Sequence, residues 1–165
     1  MSETSKKQYE GFTLSLALVD AIPVLLFGGS CILIGLMFKS PLFITGAVLC
    51  FLAGFFKVLW KVILAVSKKD VTVLNKQFRY VMCAGFLLIV ISLIAGHSRI
   101  SLSGIFSGLT SIPSVFFFIA GICGMITMGI LGKKLDSSDS RSNWIEQCVN
   151  GAAQLCIFLG LLFLV

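Results

Sequence analysis

The stretch FTLSLALVDAIPVLLFGGSCILIGLM, residues 12 to 37, decides the fold. It is apolar from end to end except for one acid, Asp20, with Pro23 and the pair Gly28-Gly29 following. At about 1.5 Å per residue such a helix crosses a hydrocarbon core of roughly 30 Å. Asp20 then lies about 12 Å past the start of the run. An ionisable group at that depth is costly, so its default reading is a paired or functional one. The remaining sequence is read for what it brings to Asp20.

Composition extends the membrane reading to the whole chain. Apolar residues make up 58% and charged residues 12%, whereas a soluble domain is about half apolar and a quarter charged. The mean hydropathy is +1.05. The sequence therefore predicts an all-α integral membrane protein, a bundle of five transmembrane helices forming a single domain over residues 1 to 165. The expected spans are 12–38, 41–66, 80–96, 112–131 and 143–165. The net charge of +6 points to membrane topology and anionic headgroups, not to nucleic acid, because the basic residues flank apolar runs. Lys6 and Lys7 precede the first run as in a signal peptide. That run exceeds an h-region and is followed by no small-x-small cleavage site, so the sequence predicts a retained first span.

Six cysteines are distributed along the apolar segments. None forms CxxC and no histidine completes a ligand set, so no metal or other cofactor is expected, and the cysteines read as small apolar residues.

Along the chain, Lys39-Ser40-Pro41 reads as a tight turn, with Ser40 placed to cap a helix and Pro41 at its first position. In the second span, Gly46, Cys50, Ala53, Gly54, Lys57, Lys61 and Lys68 fall within an arc of about 100°. Small residues on one face suit close packing in a bilayer. The same face continues into Lys57 and Lys61, which either snorkel to the headgroups beside Trp60 as interface anchor or point inward to meet an acid. Residues 67–79 read as a basic connection, and Gly85, Ser92 and Gly96 share a face of the third span. His97, the only histidine, reads as a loop residue in a Ser- and Gly-rich segment. Gly121, Gly124, Gly129 and Gly132 line one side of the fourth span, and residues 132–142 read as a polar loop. In the fifth span Asn143, Gln147, Asn150 and Gln154 lie within about 60°, with Glu146 roughly 40° beyond. That stripe suits an interhelical hydrogen-bond seam or a water-filled cavity. For Glu146 the competing reading is a capping box with Asn143 as N-cap.

Topology follows from the basic residues. Eleven, Lys6, Lys7, Lys57, Lys61, Lys68, Lys69, Lys76, Arg79, Lys133, Lys134 and Arg141, fall on one side, and two, Lys39 and Arg99, on the other. The positive-inside rule places the N-terminus in the cytoplasm and the C-terminus outside, with the plasma membrane the expected location. Asp20, Lys57, Lys61, Glu146, Gln147, Asn150 and Gln154 then share the cytoplasmic half and form a predicted polar cluster. The reading that follows is a transport-related or solute-binding membrane protein, holding a small polar ligand and assembling as a homo-oligomer or with a partner membrane subunit. Pro23 and Gly28-Gly29 would kink or open the first span. The alternative is a non-catalytic accessory subunit of a larger membrane complex. No HExxH, GxSxG, lipid-phosphate signature, haem-ligand pair or redox CxxC is present, so an intramembrane enzyme is the weakest reading. No internal repeat marks an inverted-topology transporter.

Overall fold

The computed structural model describes residues 13–96, 107–135 and 139–164. Among the described residues there are no strands and five long helices: α1 (Leu14–Phe38), α2 (Pro41–Ser67), α3 (Thr72–Ala95), α4 (Ser114–Lys134) and α5 (Ser140–Leu162). Each is long and apolar enough to cross a membrane. His97 and the amino-terminal tail lie outside the described residues.

Local chemistry sets the helix ends. Thr13 caps α1 by accepting from the Leu16 amide at 3.3 Å, and α1 stops at Lys39, whose φ of 46° sends its own amide back to the Gly35 carbonyl. Ser40 accepts from the Phe43 amide at 3.3 Å and Pro41 opens α2, so the short α1–α2 turn leaves α2 little choice but to return along α1. α2 ends the same way as α1, with Lys68 at φ 53° bonding to the Leu64 carbonyl.

Two helix starts differ most from those read in the sequence. α3 begins at Thr72, within the stretch expected to be a basic connection, because residues there are anchored despite their polarity. The Gln77 side chain donates to the Ala53 carbonyl of α2 at 3.2 Å, and Val71 and Leu74 pack on α2. α5 begins at Ser140, capped by Asp139, whose carboxylate accepts from both the amide and the hydroxyl of Ser142 at 2.9 Å. The capping box on Asn143 and Glu146 does not form. Asn143 is already inside the helix and donates its side-chain amide to the Asp139 carbonyl at 2.9 Å.

Within the expected set of five helices, the packing follows a row. Substantial packing joins α3 to α2, α2 to α1, α1 to α5 and α5 to α4, giving the order α3–α2–α1–α5–α4. Each neighbouring pair has its own small-residue contact, and this explains the row. An added Cβ on Gly46 would sit 2.6 Å from the Gly85 carbonyl, joining α2 to α3. One on Gly28 would sit 2.8 Å from the Phe51 ring, joining α1 to α2, and one on Gly29 would sit 2.9 Å from Phe158, joining α1 to α5. Gly121 and Gly124 lie as tightly against Ile157 and Ala153, joining α4 to α5. The lower half of the α4 glycine face, Gly129 and Gly132, meets nothing within 4 Å. α1 is therefore central, while α3 and α4 are the open ends. The apolar window of α4 is 6% buried against 39% for α2.

Candidate functional site

The central helix carries the site. Leu16, Asp20, Pro23 and Ser30 are all buried and fall within an arc of roughly 80° on α1. The opposite side of α1 exposes Leu18, Leu25, Ile32 and Leu36. The row thus has a polar side and an apolar side.

Six residues separate Asp20 from the start of α1 and Lys61 from the end of α2. Gln147 lies seven residues into α5, so all three sit about 10 Å from the same end of the row. Asp20 Oδ2 and Lys61 Nζ meet at 2.9 Å with side chains 9% and 5% exposed. Lys61 therefore does not snorkel; it holds α2 to α1 through a buried ion pair. Gln147, itself 7% exposed, has its Oε1 buried with no hydrogen-bond partner. Ser30 Oγ, further along the polar side, is buried and unpartnered as well. Pro23 adds another acceptor, because it has no amide to donate to the Val19 carbonyl one turn back. It does so without breaking the chain's course: α1 runs continuously from Leu14 to Phe38.

Lys57 lies one turn along α2 from Lys61 and takes a different partner. Its Nζ sits 4.4 Å from the centroid of the Phe78 ring of α3, a cation–π contact. Lys61, Asp20 and Glu146 are the charged groups whose fields reach it. Glu146 is half-buried on α5, so the polar side brings charges from α2, α1 and α5 into one electrostatic neighbourhood. Asn150 is half-buried one turn beyond Glu146. Gln154 stands apart, its side-chain amide 3.7 Å from Met125 Sδ of α4.

An apolar layer separates this cluster from the nearer helix ends. Leu16, Trp60 and Leu64 are buried together, with Val71, Leu74 and Trp144 packed against them. Trp60 is thus a core residue and not the expected interface anchor; its indole donates to Asp70 Oδ1 at 2.8 Å. Leu16, Leu64 and Trp144 each stand one helical turn from Asp20, Lys61 and Gln147, so the apolar layer lies directly beneath the polar one. Sequence reasoning did not single out Asp70, Gln77 or Ser30. Asp70 was findable as an acid ten residues from a span-end tryptophan, whereas nothing local marks Ser30.

At the α5 start, the Asp139 carboxyl is held below the usual carboxylate range, first by the Ser142 amide and then by the Ser142 hydroxyl. Among the described residues no group of His, Cys, Asp and Glu is arranged to hold a metal ion. Comparison with protein-family models, with curated proteins and with solved structures finds no match to this chain.

Proposed function

We propose that the protein is a small multi-pass membrane protein that binds a small polar solute, in a transport-related role, on the polar side of its central helix. The observation that carries this reading is the unpartnered, buried Oε1 of Gln147 in the same layer as the Asp20–Lys61 ion pair. A buried acceptor left unmade costs about 1–3 kcal/mol, and a chain that tolerates it beside a buried charge pair has a use for it. Lys57, Glu146 and Asn150 extend the same surface. The excess of Lys and Arg beside the α2–α3 and α4–α5 connections supports an N-terminus in the cytoplasm.

A second reading, a non-catalytic accessory subunit, is favoured by the open ends of the row. α3 and α4 expose Tyr80, Phe86, Ile94, Phe116 and Ile126 and leave Gly129 and Gly132 uncovered, a surface that suits another membrane helix as well as lipid.

Labelling separates the two. With the six native cysteines replaced by alanine, Asn150→Cys in sealed vesicles should react with a charged, membrane-impermeant maleimide from one side only, while Ile122→Cys on the exposed side of α4 should not. An Asn150→Cys protein that stays unlabelled from both sides, and that native mass spectrometry finds bound stoichiometrically to a second membrane protein, would replace the solute reading with the accessory one.

A further inference from the structure

The carboxamides of α5 carry the polar side well past the Asp20–Lys61 layer. On α5, Phe158 faces α1, where Gly29 lies against its ring, while Ala153 and Ile157 face Gly124 and Gly121 of α4. Gln147, Asn150 and Gln154 fall on the arc of about 60° between those two contacts. Reckoned from the Gly29–Phe158 contact, they turn about 20–80° round α5 in one sense, and Ser30 turns about 100° round α1 in the opposite sense. The two helices run side by side in the same direction, so both polar arcs open onto one valley between α1 and α5.

The groups in this valley are short of partners. Gln147 Oε1 and Ser30 Oγ are buried and unpartnered. Gln154 donates to a sulfur, Met125 Sδ at 3.7 Å, a weak acceptor. Asn150 is half-buried, at a depth where hydrocarbon cannot hydrogen-bond it. The spacing of these groups is that of water. With Gly29 and Phe158 taken as level, the steps from Gln147 to Asn150, to Gln154 and to Ser30 are about 4.5, 6 and 7.5 Å along the axis. A water held by two hydrogen bonds of about 2.8 Å spans roughly 5.6 Å, and two in line span roughly 8.4 Å. Each step is thus one or two waters long. A larger solute needs several polar partners at one height, whereas above the Gln147 layer these two arcs offer one side chain at a time.

We infer that this valley binds water, in a file running from Gln147 past Asn150 and Gln154 to Ser30. The inference rests on the solute-binding reading for an opening at the Gln147 layer, and it names water as the solute. Ser30, about 24 Å along α1 from Leu14, marks how deep the file goes.

The test is water-edited solid-state NMR on the full-length, isotope-labelled protein in lipid bilayers, which reads how fast magnetisation passes from water to each side chain. Ile32, two residues from Ser30 but 66% exposed on the apolar side, is the dry reference. The expected result is transfer to Gln147, Asn150, Gln154 and Ser30 several-fold faster than to Ile32. Asn150→Leu, close in size, removes one step of the file and should bring Ser30 down to the Ile32 rate while Gln147 keeps its own. Ser30→Ala, the milder change, should slow transfer to Gln154 and leave Gln147 unaltered. A wet Gln147 with Gln154 and Ser30 as dry as Ile32 would overturn the file and leave the solute-binding reading standing; four dry side chains would overturn both. A Ser30 that stays wet in Asn150→Leu would show water arriving by another route, and that too would overturn the file.

Discussion

Breaking the Asp20–Lys61 pair one side at a time should cost far more than removing it whole. The two groups meet at 2.9 Å with side chains 9% and 5% exposed, so neither is rescued by water when its partner goes. Asp20→Asn leaves a buried ammonium and Lys61→Met a buried carboxylate, and orphaning one member of a buried pair costs about 3–5 kcal/mol. Neutralisation sets an independent ceiling, because shedding or taking up a proton at pH 7 costs an ordinary lysine or aspartate about 4–5 kcal/mol. The two limits agree. The double variant carries no orphan, and replacing a buried pair by apolar or neutral groups of similar size is often close to neutral. The coupling free energy should therefore exceed about 3 kcal/mol, at the top of the usual range for contacting residues. The protein supplies its own probe, since its two tryptophans, Trp60 and Trp144, both belong to the apolar layer next to the pair. Unfolding in a mild-to-denaturing detergent series, followed by their fluorescence, measures all four corners of the cycle. Losses that add to within about 0.5 kcal/mol would refute direct pairing. The same cycle with Lys57→Met in place of Lys61→Met should show much weaker coupling, because Lys57 rests on the Phe78 ring.

Gly85→Ala should destabilise by about 1–3 kcal/mol through overpacking, since its Cβ would lie 2.7 Å from both Cys50 Sγ and the Gly46 carbonyl; Gly129→Ala, with nothing within 4 Å, should be neutral or mildly stabilising in the same detergent-unfolding assay. The depressed Asp139 carboxyl contributes stability that is complete above the ordinary aspartate range, about pH 4, and is lost as pH falls from there through its lower folded value. Asp139→Asn, which still caps, should flatten the acid limb of the melting-temperature profile; an unchanged limb would show that other groups set it. Gln147→Leu should raise the stability of the isolated protein by about 1–3 kcal/mol by removing an unpaired buried acceptor; a loss of stability would show that the side chain is already satisfied within the chain.

Much of the fold was legible because its signals are local or countable. Five apolar runs, the Ser40-Pro41 start of α2 and the shared depth of Asp20, Lys61 and Gln147 follow from composition, capping and rise per residue. What escaped depends on contacts between helices. Lys57 and Lys61 are only about 40° apart on α2, so the sequence leaves open which meets Asp20; the packing of Gly54 on Val24 and of Gly28 on Phe51 sets the register that selects Lys61. The row arrangement was hidden for a similar reason. Small-residue faces occur on several spans, and only the pairing of particular glycines shows that each joins a sequential or central neighbour. The early start of α3 was obscured by Gln77 and its basic neighbours, whose polarity masks a turn that is held by a side-chain bond to α2. The true α5 cap was disguised by a chance imitation: Asn143 and Glu146 have capping-box spacing, but the DSSDS run upstream offers Asp139 first.

The chemistry of the polar side constrains what it can hold. Its charges are balanced in number, Asp20 and Glu146 against Lys57 and Lys61, and one pair is already closed at 2.9 Å. Its unpartnered buried side-chain atoms can all accept a hydrogen bond. Gln147 Oε1 has no donor, Pro23 denies the Val19 carbonyl its helical one, and Ser30 Oγ is unpartnered and able to serve either way. A solute of the kind proposed would complete this surface by donating hydrogen bonds and need not carry net charge, which favours water, a hydroxyl or an amide over a carboxylate or phosphate. An anion would meet the lone pairs of Gln147 before it reached Lys57, whose ammonium is turned toward Phe78. Leu16, Trp60, Leu64 and Trp144 pack together nearer the helix ends, so in the proposed solute-binding reading a solute arriving from that side would have to part them, with Trp144 moving on α5. The Asp20–Lys61 pair, which joins α1 to α2 only, can remain intact while that happens. The tryptophan fluorescence that reads the stability of the pair would then also read the opening of the layer.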